Sequence, residues 1–357
     1  MTPQELISQL TSSPTLREWV DRFWVPVDDP GSRLFHMNIL ASIALIAAFA
    51  FYDRRDIAAF LKKALFRKRY WWNASTRIDY QVYALNSVLK VLLFIPFLDL
   101  SFWFSRWTVK GLLYVNGDFG GVPSGTLYLA GFTVLAFLWD DFLRFFHHFL
   151  MHKIPWMWEL HKTHHSARVL TPITLYRTHP LESAIATLRN SLSLGVAAGA
   201  FIFFFEAEMS LMTLFGVNVF GFVFNFLGSN LRHSHIPLAF GPLEHIFISP
   251  KMHQIHHSRK PEHWDHNYGV SLSIWDRLVG ARMLSKETGD VRSVGLDEVH
   301  HRALWRHLAA PFLKLFSSSS LSQLKPSSRM ILPLDISTTK PAVVSTTDLT
   351  PETRKEA

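Results

Sequence analysis

The chain has 357 residues, 48% of them hydrophobic, with 30 Phe, 12 Trp, only 18% charged residues and a net charge of +8. Soluble proteins average about 25% charged residues, so this balance indicates a membrane protein. No cysteine is present, which excludes disulfides, iron–sulfur clusters and thiolate zinc sites and leaves His, Asp and Glu as metal ligands. The excess cations sit in loops beside apolar segments rather than on an aromatic-studded basic face. They therefore point to membrane topology and not to nucleic acid.

In chain order, residues 1–33 are polar and punctuated by Pro14, Pro26 and Pro30. No basic start precedes an apolar stretch there, so a cleaved signal peptide is not expected. Residues 34–52 are long enough to cross a hydrocarbon layer. The loop 53–77 holds Arg54, Arg55, Lys62, Lys63, Arg67, Lys68, Arg69 and Arg77, which places it on the cytoplasmic side. A second span is expected over 82–104, broken by Pro96 and Asp99, followed by an outer loop at 105–124 whose GDFGG run reads as a turn and not a nucleotide loop. A third span, 125–150, returns inward. Residues 184–205 and 209–227 read as a hairpin with an acidic outer turn, so the histidine clusters on either side share the cytoplasmic face. Residues 285–315 hold room for one amphipathic helix, and the Ser/Thr/Pro-rich stretch beyond 316 reads as disordered. The organisation expected is an N-terminal segment (1–33), a transmembrane region with a basic loop (34–124), a catalytic domain (125–284) and a tail (285–357). The fold class is an all-α membrane bundle of about four or five spans with a cytoplasmic helical cap.

The chemistry concentrates in two matching clusters. The run HHFLMHKIPWMWELHKTHH at 147–165 has six histidines, and its HxxHH spacing at His161, His164 and His165 recurs at His253, His256 and His257. Positions i, i+3 and i+4 share a helix face, so each HxxHH triplet can converge on one point. His148 and His152 stand at i and i+4, with Asp141 two turns earlier on the same stripe as the expected carboxylate behind a ligating imidazole. His147 points about 100° away from His148, which sets it apart. Arg144 serves the site or snorkels to headgroups. His36, His300, His301 and His307 read as solvent-exposed. A lone helical histidine is ordinarily a polar surface or packing residue, but two HxxHH clusters beside an HxxxH point to metal.

The ordered run DFLRFFHHFLMHKIPWMWELHKTHHS (141–166), YRTHPLE (176–182), SNLRHSH (229–235), GPLEHIFISPKMHQIHHSRKPEHWDHNYG (241–269) and IWDRLVG (274–280) resembles the fatty acid hydroxylase / sterol desaturase superfamily. The resemblance implies a dinuclear metal centre, normally di-iron, on the cytosolic side of a small helical bundle. It implies His148, His152, His161, His164, His165, His253, His256 and His257 as ligands carrying catalysis, and His233 as a further ligand. His179 and His235 fall at positions where a ligand or supporting role is expected. His263, His266, Asp265 and Asn267 read as a lid or as support for the ligands.

Imidazole suits iron, zinc and copper alike. Iron is preferred because zinc has no redox chemistry and attack on an unactivated C–H bond requires it. The function expected is O2-dependent hydroxylation or desaturation of a lipid: a sterol, fatty acyl chain, sphingolipid-like amide or aminolipid. No dinucleotide fingerprint or haem domain is evident, so an external electron donor must dock on the cytoplasmic face, where the basic loop suits an acidic partner. The competing classes are a membrane metal-ion transporter and a zinc hydrolase. The histidines gather at one face, against a transport path, and there is no HExxH.

Overall fold

The computed structural model describes residues 35–93, 98–117, 126–205, 223–224, 226, 228–289, 291, 293–296 and 303–316. Among these residues regular structure is helical, with no β-strand and two isolated bridges, Phe247–Leu272 and Ser258–Val294. The segment 1–33, the GDFGG turn beyond Gly117, almost all of 209–227, His300, His301 and the tail beyond 316 lie outside the described residues.

Helix α1 (His36–Tyr52) is apolar along its length. The chain then folds back through α2 (Ile57–Phe66), whose start is capped by Asp56 accepting from the Ala59 N–H at 2.7 Å. Its IAAFLKKALF pattern is amphipathic. Ala64 with Phe60, Leu61 and Leu65 packs on Ile46 of α1 and on Leu231 and Ile236, while Lys62 and Lys63 face outward. All eight cations of this loop region are exposed.

The expected span at 82–104 is instead parts of two helices, α4 (Ala74–Leu93) and α5 (Leu98–Asn116), after the short α3 (Lys68–Trp71). Pro96 stands between them in the sequence, and proline lacks the N–H a continuing helix needs. Residues 105–116, expected as an outer loop, continue α5. Arg106 and Lys110 disguise a helix that carries Trp103, Trp107 and Leu113 on its exposed side.

Helix α6 (Thr126–Lys153) ends at Ile154, where Pro155 opens α7 (Pro155–His165). Helix α8 (Pro180–Phe205) begins at the proline of the HPLE element and packs lengthwise on α5. Their closeness depends on Gly195 and Gly199, spaced as GxxxG. A Cβ on Gly195 would collide with the Ser101 carbonyl oxygen, and one on Gly199 would lie 2.5 Å from the Ser105 oxygen. Replacing Gly199 by Leu therefore forces α5 and α8 apart. We expect a loss of about 1–3 kcal/mol, read as a lower melting temperature in detergent, whereas Gly111→Leu, where nothing lies within 4 Å, should cost less.

Among the described residues α8 is the one helix long and apolar enough to cross a membrane by length and composition. After it come α9 (Pro250–His256), α10 (Ile274–Leu278) and the expected amphipathic helix, which is α11 (Leu304–Phe316). Helix α11 lies against α7, with Lys314 Nζ 3.0 Å from the Glu159 carboxylate. This placement corrects the reading of His307 as exposed: it is buried at 2% exposure, with Nε2 3.4 Å from Arg177 Nη2.

Arg177 is a buried hub of hydrogen bonds. It donates to Asp79 Oδ1 and the Ser75 carbonyl at 2.9 Å, to the Thr163 carbonyl at 2.9 Å and to Ser166 Oγ at 2.8 Å. Asp79 also accepts from Thr174 at 2.7 Å. One guanidinium thus ties α4, the end of α7 and the turn Pro172–Tyr176 together.

Candidate metal centre

The nine histidines expected as ligands are brought together, but not as one convergent cluster. His148, His152, His161, His165 and His256 form one group, and His164, His233, His253 and His257 a second, with candidate ligand atoms within 4.8 Å of one another in each. The expectation that each HxxHH converges on one point is corrected by the helix geometry. The i and i+4 members of α7, His161 and His165, enter the first group, while His164 between them turns to the second. The second box does the reverse: His253 and His257 enter the second group and His256 crosses to the first. Each box thus supplies two ligand candidates to one group and one to the other. The groups share a wall, with the His165 and His257 rings stacked at 4.4 Å and His161 and His164 at 5.3 Å.

The ring orientations are set from behind. His148 Nδ1 donates to the Tyr268 carbonyl at 2.7 Å, His256 Nδ1 to the His266 carbonyl at 2.8 Å and His161 Nδ1 to Glu182 Oε1 at 2.8 Å. A proton held on Nδ1 leaves the Nε2 lone pair facing inward. The Nε2 atoms of His152, His161, His165 and His256 are buried with no hydrogen-bond partner, which is costly unless something binds them. In the second group the His233 Nε2 lies 3.2 Å from His164 Nε2 and 3.0 Å from His253 Nε2, and His257 Nε2 lies 3.2 Å from His253 Nε2. Tetrahedral ligands at about 2.0–2.1 Å from a metal stand roughly 3.3 Å apart, so this donor set fits a metal ion.

Burial and the neighbouring imidazoles hold His164, His165, His253 and His257 well below the usual histidine pKa, and burial pushes His256 down to about 3. At neutral pH these rings are uncharged and their lone pairs available. The unfolded chain binds protons near pH 6.5 that the folded site refuses, so stability is complete above that pH and falls as pH drops toward 3. The metal-stripped protein should melt at a lower temperature at pH 5 than at pH 7.5, and metal affinity should fall in the same direction. Equal melting and equal metal affinity at the two pH values would contradict this.

The carboxylate behind a ligand candidate is Glu182, not Asp141. Asp141 accepts from the Ser271 and Leu272 N–H groups at 2.9 and 3.0 Å and from Trp275 Nε1 at 3.0 Å, so it anchors the closing segment to α6. Glu182 belongs to the quoted YRTHPLE run and lies in the first turn of α8, three residues after His179. His179 itself lies outside both groups, with Nε2 3.2 Å from the Leu308 carbonyl and Nδ1 accepting from the Leu181 N–H. His235 is also outside, stacked on Tyr70 at 3.9 Å, and His263 is buried in the turn Pro261–His263. His147 enters neither group, and His36 is exposed. Arg144 pairs with Asp140 at 2.6 Å.

Asp265 and Asn267 shape the loop that reaches the site. Both have left-handed backbones, φ 62° and 60°, which these residue types tolerate better than most. Asn267 clamps the Met252 and Met283 carbonyls at 3.1 and 2.9 Å. The loop so formed delivers the His266 and Tyr268 carbonyls to His256 and His148. Asp276 holds it from below through the Tyr268 and Gly269 N–H groups at 2.7 and 2.9 Å; burial pushes that carboxyl up to about 7. Glu182, Tyr268, Asp276 and Arg232 were not singled out by motif reasoning. Arg232 donates to the Val270 carbonyl at 2.6 Å and places Nη2 3.1 Å from His253 Nδ1, joining the second group to the closing segment.

A family model described as fatty acid hydroxylase matches residues 133–281. These are the residues that hold both histidine groups, and the chain carries a fatty acid hydroxylase domain. The domain belongs to the fatty acid hydroxylase/sterol desaturase superfamily. Similar proteins include alkylglycerol monooxygenase of Xenopus tropicalis, 29% identical over 43% of this chain and 31% of that protein. Ornithine lipid hydroxylase OlsE of Rhizobium tropici is 29% identical over 42% of this chain and 40% of its own length. Lathosterol oxidase of Homo sapiens is 26% identical over 48% and 52%. The match thus spans about a third to a half of these curated relatives. No solved structure matches the chain.

Proposed function

We propose that the chain is a membrane-bound, O2-dependent lipid oxygenase that hydroxylates or desaturates a C–H bond at a two-metal centre. The observation that carries this reading is the pair of adjoining, buried imidazole groups with inward Nε2 atoms. Its relatives bear the names of lipid hydroxylases and oxidases. Two iron ions bound there would supply the O2 reduction that a C–H bond demands, zinc being redox-inert. Hydroxylation balances as one C–H bond, O2, two electrons and two protons giving one C–OH and one water. His148, His152, His161, His165 and His256 would hold one ion and His164, His233, His253 and His257 the other.

The chain's own residues keep the imidazoles neutral and aimed. Glu182 holds the His161 proton at Nδ1, and the 265–276 loop does so for His148 and His256. The surfaces of α1, α5, α6 and α8 expose Leu40, Phe102, Trp107, Leu135 and Leu194 among other large apolar side chains, which suits a multi-pass bilayer protein with the cap facing the cytoplasm. The exposed cations of 53–77 suit an acidic electron-donor protein. The nine imidazoles gather at one end of the bundle rather than along a path, which favours an oxygenase over a metal transporter.

The test compares lipids extracted from oxygenated cells with and without the gene. A lipid species heavier by one oxygen, or lighter by two hydrogens, is expected only with the gene. An unchanged lipidome would contradict the reading.

A further inference from the structure

A groove of about 450 Å³ runs between α6 and α8, lined by Gly131, Leu135 and Trp139 on one side and Val196, Ala200 and Phe204 on the other. Its lining is apolar, and a Cβ on Gly131 would meet nothing within 4 Å. The seam changes character at the end nearer the histidines. Asp140 accepts from Ser193 Oγ at 2.8 Å on Oδ1 and from Arg144 Nε at 2.6 Å on Oδ2, and Arg189 Nη1 lies 3.8 Å from Oδ1. Arg144 and Arg189 each stand one turn closer to the cap, on α6 and α8. Two guanidiniums therefore face one carboxylate, leaving a positive charge uncompensated beside an apolar groove, an expensive arrangement unless something anionic joins it.

Arg189 makes the point sharper. Its side chain is 14% exposed, and Nε and Nη1 have no hydrogen-bond acceptor. One turn beyond Arg144, His147 Nε2 is also buried without a partner. The adjacent residue, His148, one turn from Arg144, belongs to the first histidine group. Unsatisfied polar nitrogens thus line the way from the groove to the candidate metal centre, and the groove supplies the apolar length that an acyl or alkyl chain would fill.

We propose that this seam binds the acidic group, phosphate or carboxylate, of a lipid whose chain lies in the groove, with Arg189 as the main ligand of that group. Planar guanidinium forks suit such oxyanions. That this lipid is the substrate rests on the oxygenase reading; the binding itself does not. The end of the grooved chain then lies on the far side of Arg189 from the histidines. The carbon attacked is accordingly one near the polar group and not a terminal methyl, since Arg144 and His148 are separated by roughly 6 Å along α6.

The purified full chain in uncharged detergent is titrated with phosphatidic acid, with diacylglycerol of the same chains and with inorganic phosphate, following thermal stabilisation and bound lipid by mass spectrometry. Phosphatidic acid should bind roughly tenfold tighter than diacylglycerol, and inorganic phosphate should not replace it. Arg189→Gln should reduce phosphatidic acid to the diacylglycerol level with metal content unchanged, Arg189→Lys should retain part of the preference, and Gly131→Phe should weaken both lipids. Equal preference in Arg189→Gln and the unsubstituted chain would overturn the proposal, as would equal stabilisation by inorganic phosphate alone. Arg189-dependent binding without oxygen consumption would leave the anion site standing and count against the oxygenase reading.

Discussion

Changing His164 and His257 together to Ala should lower bound metal from about two ions per chain to about one and abolish lipid oxidation. Both rings belong to the second group, with centroids 4.8 Å apart, and their loss leaves His233 and His253 alone there. Two imidazoles cannot hold an ion as four do, while the five of the first group are untouched. Elemental analysis of the purified variant is the check, and two ions retained would contradict the division into groups. The His161 and His165 pair gives the complementary experiment. Removing it leaves His148, His152 and His256 in the first group, and should weaken metal binding there while sparing the second, although His161, His164 and His165 all come from one HxxHH box. A convergent single cluster would make all of these variants alike.

The second large effect is on stability. Asp79→Ala should destabilise the fold by about 3–5 kcal/mol, because it leaves the Arg177 guanidinium buried and unpaired. Both partners are essentially inaccessible, at 0% and 2% side-chain exposure. Arg177 also holds the Thr163 carbonyl and Ser166 at the end of α7, so the change should loosen the helix that presents His161, His164 and His165. We expect a lower melting temperature together with weaker metal binding. The double change Asp79→Leu with Arg177→Met should recover much of the stability, since replacing a buried pair by apolar groups is often near neutral.

The histidines were legible in the sequence because their spacing is chemical as well as structural. HxxxH and HxxHH place rings on one helix side, and nothing else in a packed core needs so many. What spacing could not show was the exchange between boxes, because i, i+3 and i+4 lie within one broad face. Only the approach of α7 to α9 decides that His164 and His256 cross over. Glu182 was hidden for a related reason. It sits 21 residues from His161, whereas Asp141 stood on the same helical stripe as His148 and so seemed the natural supporting carboxylate. Tertiary structure gave Asp141 to the Ser271 and Leu272 amides instead.

The long apolar helices were legible by hydropathy where charges were few, as in α1 and α8. Helix α5 was obscured because Arg106 and Lys110 interrupt its apolar run, while the feature that seats it, the Gly195–Gly199 pair, lies on another helix. His307 likewise looked like a tail residue, since its partner Arg177 is 130 positions away.

The most direct test of the central claim uses isotopically labelled O2. The purified chain, loaded with iron and supplied with an electron donor and extracted lipids, should place one labelled oxygen atom in a lipid product, or turn over O2 with formation of a new double bond. Both activities should vanish in the His164, His257 double variant. A lipid product whose new oxygen comes from water, or no O2 consumption by the iron-loaded chain with reductant present, would contradict the account.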